Sequence, residues 1–441
     1  DIINPDPHVI NGNYGIYSND TIITDNKKYQ ELEASDYQLS TDHGLILYQT
    51  NKRKEFRHSL VADYHIYRIA APNTDSRQHR KIGQLNDVQL IKFNPKINNH
   101  LIYVDIDNSI RSLTINLENS RIESDVIFKQ GKKEAVFNGI SDWVYEEDML
   151  KTSEAFIFSE DGNYLAFAQF VDDFVPFFSW LEYFDGNSDQ HLEDKQYPTM
   201  KSIRYPKAGS QVDINPIVSV FTFDIFNQKE LRHINIEAEN FEDFGQYRPI
   251  LGNFQFMDSA FSENSKVPDL AISWINRVQT HTKTILYTAE ADYLLNEYQA
   301  YDTEKKFNNE NQYVVDGWIG IPKPLVLIPD IDRDFENSEN SEYSFLQLQE
   351  SPDGYRHILK ITYQIFPSNQ NMLKLSRNWM TSGPIDIIEI LGVRPNFDGA
   401  TGTSVTDGYV AVFQAATTFD TLDIYSLNLN GGPEYNTIHS Y

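Results

Sequence analysis

The sequence predicts an all-β protein on three observations: a hairpin turn that recurs along the chain, a composition rich in strand-forming aromatics, and scarce helical periodicity. The turn is the strongest of these. An apolar residue, a polar pair, an Asp-Gly-like turn and an alternating apolar run occur at Leu39-Ser-Thr-Asp-His-Gly44-Leu-Ile-Leu-Tyr48, Phe158-Ser-Glu-Asp-Gly162-Asn-Tyr-Leu-Ala-Phe167, Glu350-Ser-Pro-Asp-Gly354-Tyr-Arg-His-Ile-Leu359 and Val405-Thr-Asp-Gly408-Tyr-Val-Ala-Val-Phe413. A degenerate copy is Phe93-Asn-Pro-Lys-Ile-Asn-Asn-His-Leu-Ile-Tyr103. Each reads as a strand, a tight turn in which Gly or Asn accepts positive φ, and a second strand with one half-buried face. Gly44 and Gly162 lie two steps of about 59 residues apart, with the degenerate turn near Asn98 between them; Gly354 and Gly408 are one step of about 54 apart. A repeat this long holds about four strands, and four-stranded antiparallel units arranged radially make a β-propeller, in which only short sheet edges remain. Several unrelated β-sandwich domains with ordinary Asp-Gly hairpins are the competing arrangement.

Composition supports the strands. The 441 residues include 26 Tyr and 27 Phe, and 40% are hydrophobic, enough to build a large strand core. The best helical pattern, at 145–155 with Met149 and Leu150 as its apolar side, predicts only a turn or two. Polar, self-repelling runs at 187–195, 303–312 and 330–344 read as loops exposed to solvent, not as interdomain linkers. The whole chain, 1–441, is therefore expected to be one propeller domain. The five tryptophans, Trp143, Trp180, Trp274, Trp318 and Trp379, are expected to pack in the core or between sheets.

The same arithmetic excludes function classes. There is no cysteine, so thiolate metal sites, cysteine nucleophiles and disulfide scaffolds are impossible. The formal net charge of −27 repels a phosphate backbone, and no stripe of Lys/Arg interleaved with aromatics offsets it, which argues against nucleic acid as a partner. No run reaches the roughly 18–20 apolar residues that span a bilayer, and Asp1-Ile-Ile-Asn-Pro is neither basic nor apolar enough for a leader. His58, His281 and His357 lack the spacing of a metal pair, so no metal or other cofactor is expected. No Gly-x-Ser-x-Gly nucleophile elbow occurs, and no dispersed Ser/His/Asp set stands out, so the chain is assigned no catalytic residue. Asn19-Asp-Thr21 is the only acceptor triplet for N-glycosylation.

Five segments in order resemble the dipeptidyl peptidase IV family. They are Phe56-Arg-His-Ser59 with Tyr64-His-Ile-Tyr67; Asn138-Gly-Ile-Ser-Asp-Trp-Val-Tyr-Glu-Glu-Asp-Met-Leu150 followed by Phe158-Ser-Glu-Asp-Gly-Asn-Tyr-Leu-Ala-Phe-Ala-Gln-Phe170; Tyr205-Pro-Lys-Ala-Gly209 with Asn215-Pro216; Gly317-Trp-Ile-Gly320; and Gly354-Tyr-Arg-His357. The resemblance runs from about 37 to about 430 and is strongest over 134–220. It implies an eight-bladed propeller that sits over an α/β-hydrolase domain of the same polypeptide, in proteins that release dipeptides with Pro or Ala second. Against that pattern this chain has no hydrolase segment, and its first and last blades look truncated. The resemblance also implies a peptide N-terminus as substrate, a possible homodimer, and a place on the lumenal or extracellular side of a secretory, vacuolar or cell-surface membrane, with the cytosol as the other setting.

The resemblance carries over onto four positions. An exopeptidase that measures from the N-terminus must bind an α-ammonium, largely protonated at neutral pH, and paired carboxylates do so by charge-assisted hydrogen bonds. The family has three consecutive glutamates after Asp-Trp-Val-Tyr, the second and third of which hold the ammonium. Here the three positions are Glu146, Glu147 and Asp148, so the second ligand is one methylene short. Arg57 matches the family arginine that donates to a backbone carbonyl of the peptide, a task suited to a guanidinium fork. Ile321-Pro-Lys323 replaces an Arg-Phe-Arg-like segment, so substrate contacts from that loop are not expected. Two readings follow: the substrate-gating, N-terminus-anchoring part of a serine exopeptidase, or a non-catalytic relative acting as an interaction or accessory subunit.

Overall fold

A computed structural model describes residues 8–10, 13–18, 21–25, 27–69, 79–183, 197–209, 213–235, 241, 244–245, 247–257, 267–288, 292–299, 318–329, 342–351, 354–366, 371–397, 404–418, 421–429 and 435–440. The polar runs at 187–195 and 303–312, most of 330–344, and Asn19, Asp20 and Gly317 lie outside them. The chain divides into two compact units, Asp1–Ala238 and Glu239–Tyr441.

A continuous apolar run marks a strand covered on both faces, whereas a polar run marks one left at the rim. Both occur within single sheets. Tyr164–Val171 is buried along nearly its whole length, while Arg121–Phe128 is exposed over most of its own. In the first unit, after a three-stranded sheet at 8–25, seven strands from Asp36–Leu39 to Arg121–Phe128 pair antiparallel in sequence order. They amount to two four-stranded meanders joined through the 14-residue strand Arg80–Phe93. Its N-terminal part pairs with Leu60–Arg68 and its C-terminal part with His100–Asp105. A third sheet follows, ordered Val136–Asn138, Tyr164–Val171, Ile217–Asp224 and Lys229–Asn235, with Phe156–Phe158 pairing on Tyr164–Val171. The second meander and this sheet share a core that includes Ile102, Ile110, Phe156, Phe167 and Phe221, the rings of Phe167 and Phe221 stacking at 5.2 Å. The second unit is three four-stranded antiparallel sheets, each in sequence order, beginning at Ile250, Val326 and Asp386. The all-β expectation is met, and the two meanders of the first unit and the three sheets of the second each have the size and connectivity of a propeller blade.

Two features leave the sheets. Phe177–Glu182 and Thr199–Arg204 form a hairpin that, among the described residues, pairs with no other strand, with Phe177, Phe178, Trp180, Leu181 and Met200 exposed. The strand Leu45–Lys54 is buried for six residues and exposed for its last four, so that it projects before turning at 55–59, where Arg57 sits. Among the described residues, no helix is long and apolar enough to cross a membrane.

The turn pattern is right in kind and only partly right in phase. The turns ending near Gly44 and Asn99 each lead from the first strand of a meander into the next, and that at Gly162 leads from Phe156–Phe158 into Tyr164–Val171, beside the first strand of that sheet. The Gly354 turn instead joins the second and third strands of its sheet, and Gly408 lies inside the strand Ser404–Thr418. The step of about 54 between them therefore relates unlike positions, because Asp-Gly suits any hairpin turn and not one blade corner alone. At the first turn the left-handed residue is His43, φ 57°, in place of Gly44; Gly162, φ 73°, does require glycine, since a Cβ there would lie 2.1 Å from Asn94 Oδ1. Among the tryptophans, Trp274 is buried, but Trp180 and Trp318 are exposed, contrary to expectation.

Candidate functional site

The short helix expected at 145–155 is a π-helical turn, Tyr145–Leu150, ended by Lys151 at φ 57°. Lys151 donates its ammonium back to the Glu147 carbonyl, as a cation near a helix C-terminus should. The buried face differs from the expected one. Met149 and Leu150 are only half-buried, whereas Tyr145 and Glu146 are inside, because the ring of Tyr145 packs 4.6 Å from that of Phe170 on the core strand Tyr164–Val171. Docking by an aromatic at the start of the turn fixes where the next three side chains go.

Those three are the acids, and they face three ways. Glu146 is 1% exposed; its Oε1 accepts the backbone N–H of His58 at 2.6 Å, and its Oε2 is buried with no hydrogen-bond partner among the described residues. Glu147, one-fifth exposed, pairs with Arg57 at 3.0 Å. Asp148 is exposed and makes no hydrogen bond or ion pair with the described residues. The structure thus brings Arg57, Glu146 and Glu147 together across 88 positions of sequence, through two contacts between adjacent residue pairs. Two carboxylates, Glu147 and Asp148, stand against one guanidinium, which leaves one negative charge on the solvent side. That is the complement of one ammonium group, and the exposed Arg57 retains donors for a carbonyl.

Beneath the helix lies a group that the sequence reading did not single out. Asp142 is 2% exposed and accepts the N–H groups of Val144 at 2.9 Å and Tyr145 at 3.3 Å, while its own carbonyl accepts from Glu146. Asp172, 3% exposed, follows the core strand. Burial first, and then the neighbouring charge of Asp172, pushes the Asp142 carboxyl well above the usual carboxylate range. Burial likewise pushes Asp172 up to about 7, with Arg204 opposing and Asp173 adding to the rise. Arg204 donates to the Asp172 and Val175 carbonyls at 2.8 and 3.0 Å, and its guanidinium lies 4.5 Å over the ring of Phe177. The adjacent Tyr205 packs in a tilted contact with Trp143, ring centroids 4.9 Å apart. The only sequence hint of this cluster was that Asp142, Trp143 and Tyr205 sit in motifs; their assembly required the fold.

In the second unit, Ile321, Pro322 and Lys323 line a cavity of about 20 Å³ with Glu350 and Arg356. It has room for one water and not for a peptide side chain.

Comparison with known proteins adds the following. The family model described as the dipeptidyl peptidase IV (DPP IV) N-terminal region matches residues 40–440. Venom dipeptidyl peptidase 4 of Vespula vulgaris is 32% identical over 268 residues, 60% of this chain and 31% of that relative. Dipeptidyl peptidase 4 of Felis catus is 28% identical over 350 residues, covering 78% and 40%, and prolyl endopeptidase FAP of Homo sapiens is 26% identical over 373 residues, covering 84% and 41%. The chain thus spans less than half the length of these relatives. The crystal structure of dipeptidyl peptidase 4 from Porphyromonas gingivalis superposes over 97% of this chain and 50% of its own, with a TM-score of 0.62 at 18% identity, a likeness of fold.

Proposed function

Because the chain belongs to the dipeptidyl peptidase IV N-terminal region family, we propose that it is the substrate-gating and N-terminus-anchoring part of a serine exopeptidase that releases X-Pro and X-Ala dipeptides. The observation that carries this reading is the ion pair between Arg57 and Glu147 beside the exposed Asp148, which leaves one negative charge uncompensated. In this reading a peptide's ammonium enters between Glu147 and Asp148, Arg57 turns a donor to a backbone carbonyl, and the second residue is placed at a fixed distance from the anchor. An α/β-hydrolase domain of the same polypeptide supplies the nucleophile, on the lumenal or extracellular side of a membrane. The test compares X-Pro chromogenic amides with free and acetylated N-termini on the full-length protein. Acetylation removes the cation and is expected to lower kcat/KM by about a hundredfold or more. Equal rates on both would remove the ammonium anchor, and no hydrolysis of either would favour the non-catalytic accessory reading.

The same proposal includes a second copy of the chain as partner, seated on the hairpin of Phe177–Glu182 and Thr199–Arg204. Support comes from the exposed apolar side chains it presents, Phe177, Phe178, Trp180, Leu181 and Met200. Leu181→Asp is expected to weaken a dimer about thirtyfold or more, read by sedimentation velocity across a dilution series. An unchanged association constant would move the interface elsewhere.

A further inference from the structure

Two carboxyls buried together beneath the acidic helix have no role in binding substrate, and they sit where they can control that helix. Asp142 holds the first N–H groups of the turn, so the turn's start depends on the position of its carboxylate. Among the described residues, neither the buried Asp172 Oδ1 nor Arg204 Nε has a hydrogen-bond partner. A buried acceptor in that state costs free energy, and more so when it is charged. Two ionised carboxylates in one dry site repel, so such pairs keep a proton between them.

We propose that Asp142 and Asp172 are positioning residues that hold one shared proton, and that its loss to water loosens the start of the acidic helix and weakens the grip of Glu147 and Asp148 on a peptide ammonium. This rests on the amine-anchoring reading above. Among the described residues, the charged groups facing the pair include Asp173 beyond the core strand and Arg204 at the end of the exposed hairpin, while Glu146 on the helix turns its carboxylate to the His58 N–H. The N–H groups of Val144 and Tyr145 that Asp142 accepts oppose retention of the proton, and so does Arg204. Its Nη1 is committed to three carbonyls, those of Asp172, Asp173 and Val175, and its face to the Phe177 ring, which leaves Nε as the donor without a bond among the described residues. The direction follows from the larger of two opposed effects: with both acids charged, repulsion from Asp172 outweighs the stronger bonds that a charged Asp142 makes to the N–H groups it satisfies.

Trp143 lies next to Asp142 and packs against Tyr205, and so reports on the pair without any substrate. In the full-length protein, tryptophan fluorescence is expected to show a step near pH 7 that disappears in Trp143→Phe and in Asp172→Asn. The KM for an X-Pro chromogenic amide is expected to rise by about fivefold between pH 6 and pH 8, the size of a lost helix cap, beyond the rise shared with Asp172→Asn. The shared rise belongs to the substrate amine. An identical fluorescence step and identical KM profiles in both proteins would overturn the proposal, as would a KM that falls. If Asp172→Asn does not fold, infrared difference spectra of the unmutated protein decide: a protonated carboxyl band must vanish between pH 6 and pH 8, and its absence sinks the idea. A step with no amide hydrolysis supports the shared proton and refutes the exopeptidase reading; hydrolysis with no step does the reverse.

Discussion

Glu147→Gln in the full-length protein is expected to raise KM for an X-Pro amide and to lower kcat/KM by roughly ten- to a hundredfold, the worth of one charge-assisted hydrogen bond of about 1.5–3 kcal/mol. Glutamine keeps the shape and one acceptor and removes the charge. Two consequences follow from the geometry. Arg57 loses its ion-pair partner at 3.0 Å, so the loop at 55–59 stays tied to the acidic helix through the His58 N–H and Glu146. The melting temperature, by contrast, should hardly move, because Arg57 is 70% exposed and exposed ion pairs contribute little to folding. Steady-state kinetics beside a thermal melt separate the two, and an unchanged kcat/KM would strip Glu147 of its role.

Asp172→Asn should have the larger effect on stability, and the sign depends on pH. The unfolded carboxyl titrates near its ordinary value of 3.8, whereas the folded one is held up to about 7. Between those values the folded state binds more protons than the unfolded state, so stability is fully present below about 4 and is lost as pH rises through about 7. Each pH unit in that window costs about 1.4 kcal/mol while the difference in proton binding is complete. Asparagine does not ionise. The variant is expected to gain on the parent by a few kcal/mol between pH 4 and pH 8, read as the difference between paired denaturant titrations at each pH. A constant difference across that range would show that Asp172 carries no proton into the neutral folded state.

How far the sequence carried the fold is clearest at the turns. Asp-Gly turns between apolar runs located hairpins at 39–48 and 158–167 correctly, and the degenerate turn at 94–99 as well, where the Asn94 side chain organises the loop by accepting the Lys96 and Ile97 N–H groups. The same pattern gave the wrong phase at Gly354 and placed a turn at Gly408 inside a strand. Turn chemistry is local; which corner of a sheet a turn occupies depends on pairing with strands far away. The long strand Arg80–Phe93, shared by two meanders, has no local signature at all.

For the site, the chain's residue types already determined that one acidic run and one arginine belonged together, since ordered motifs tied both to a known family and the absence of cysteine ruled out competing chemistry. Only the tertiary structure decided which acid does what. Glu146, Glu147 and Asp148 are neighbours of similar chemistry, and their fates diverge because Tyr145 docks on Phe170 and turns the helix so that Glu146 faces inward, Glu147 meets Arg57 and Asp148 faces water. The Asp142–Asp172 pair was hidden for the same reason. Burial and the approach of two like charges raise a carboxyl's pKa, and both are properties of folded space that no spacing along the chain encodes.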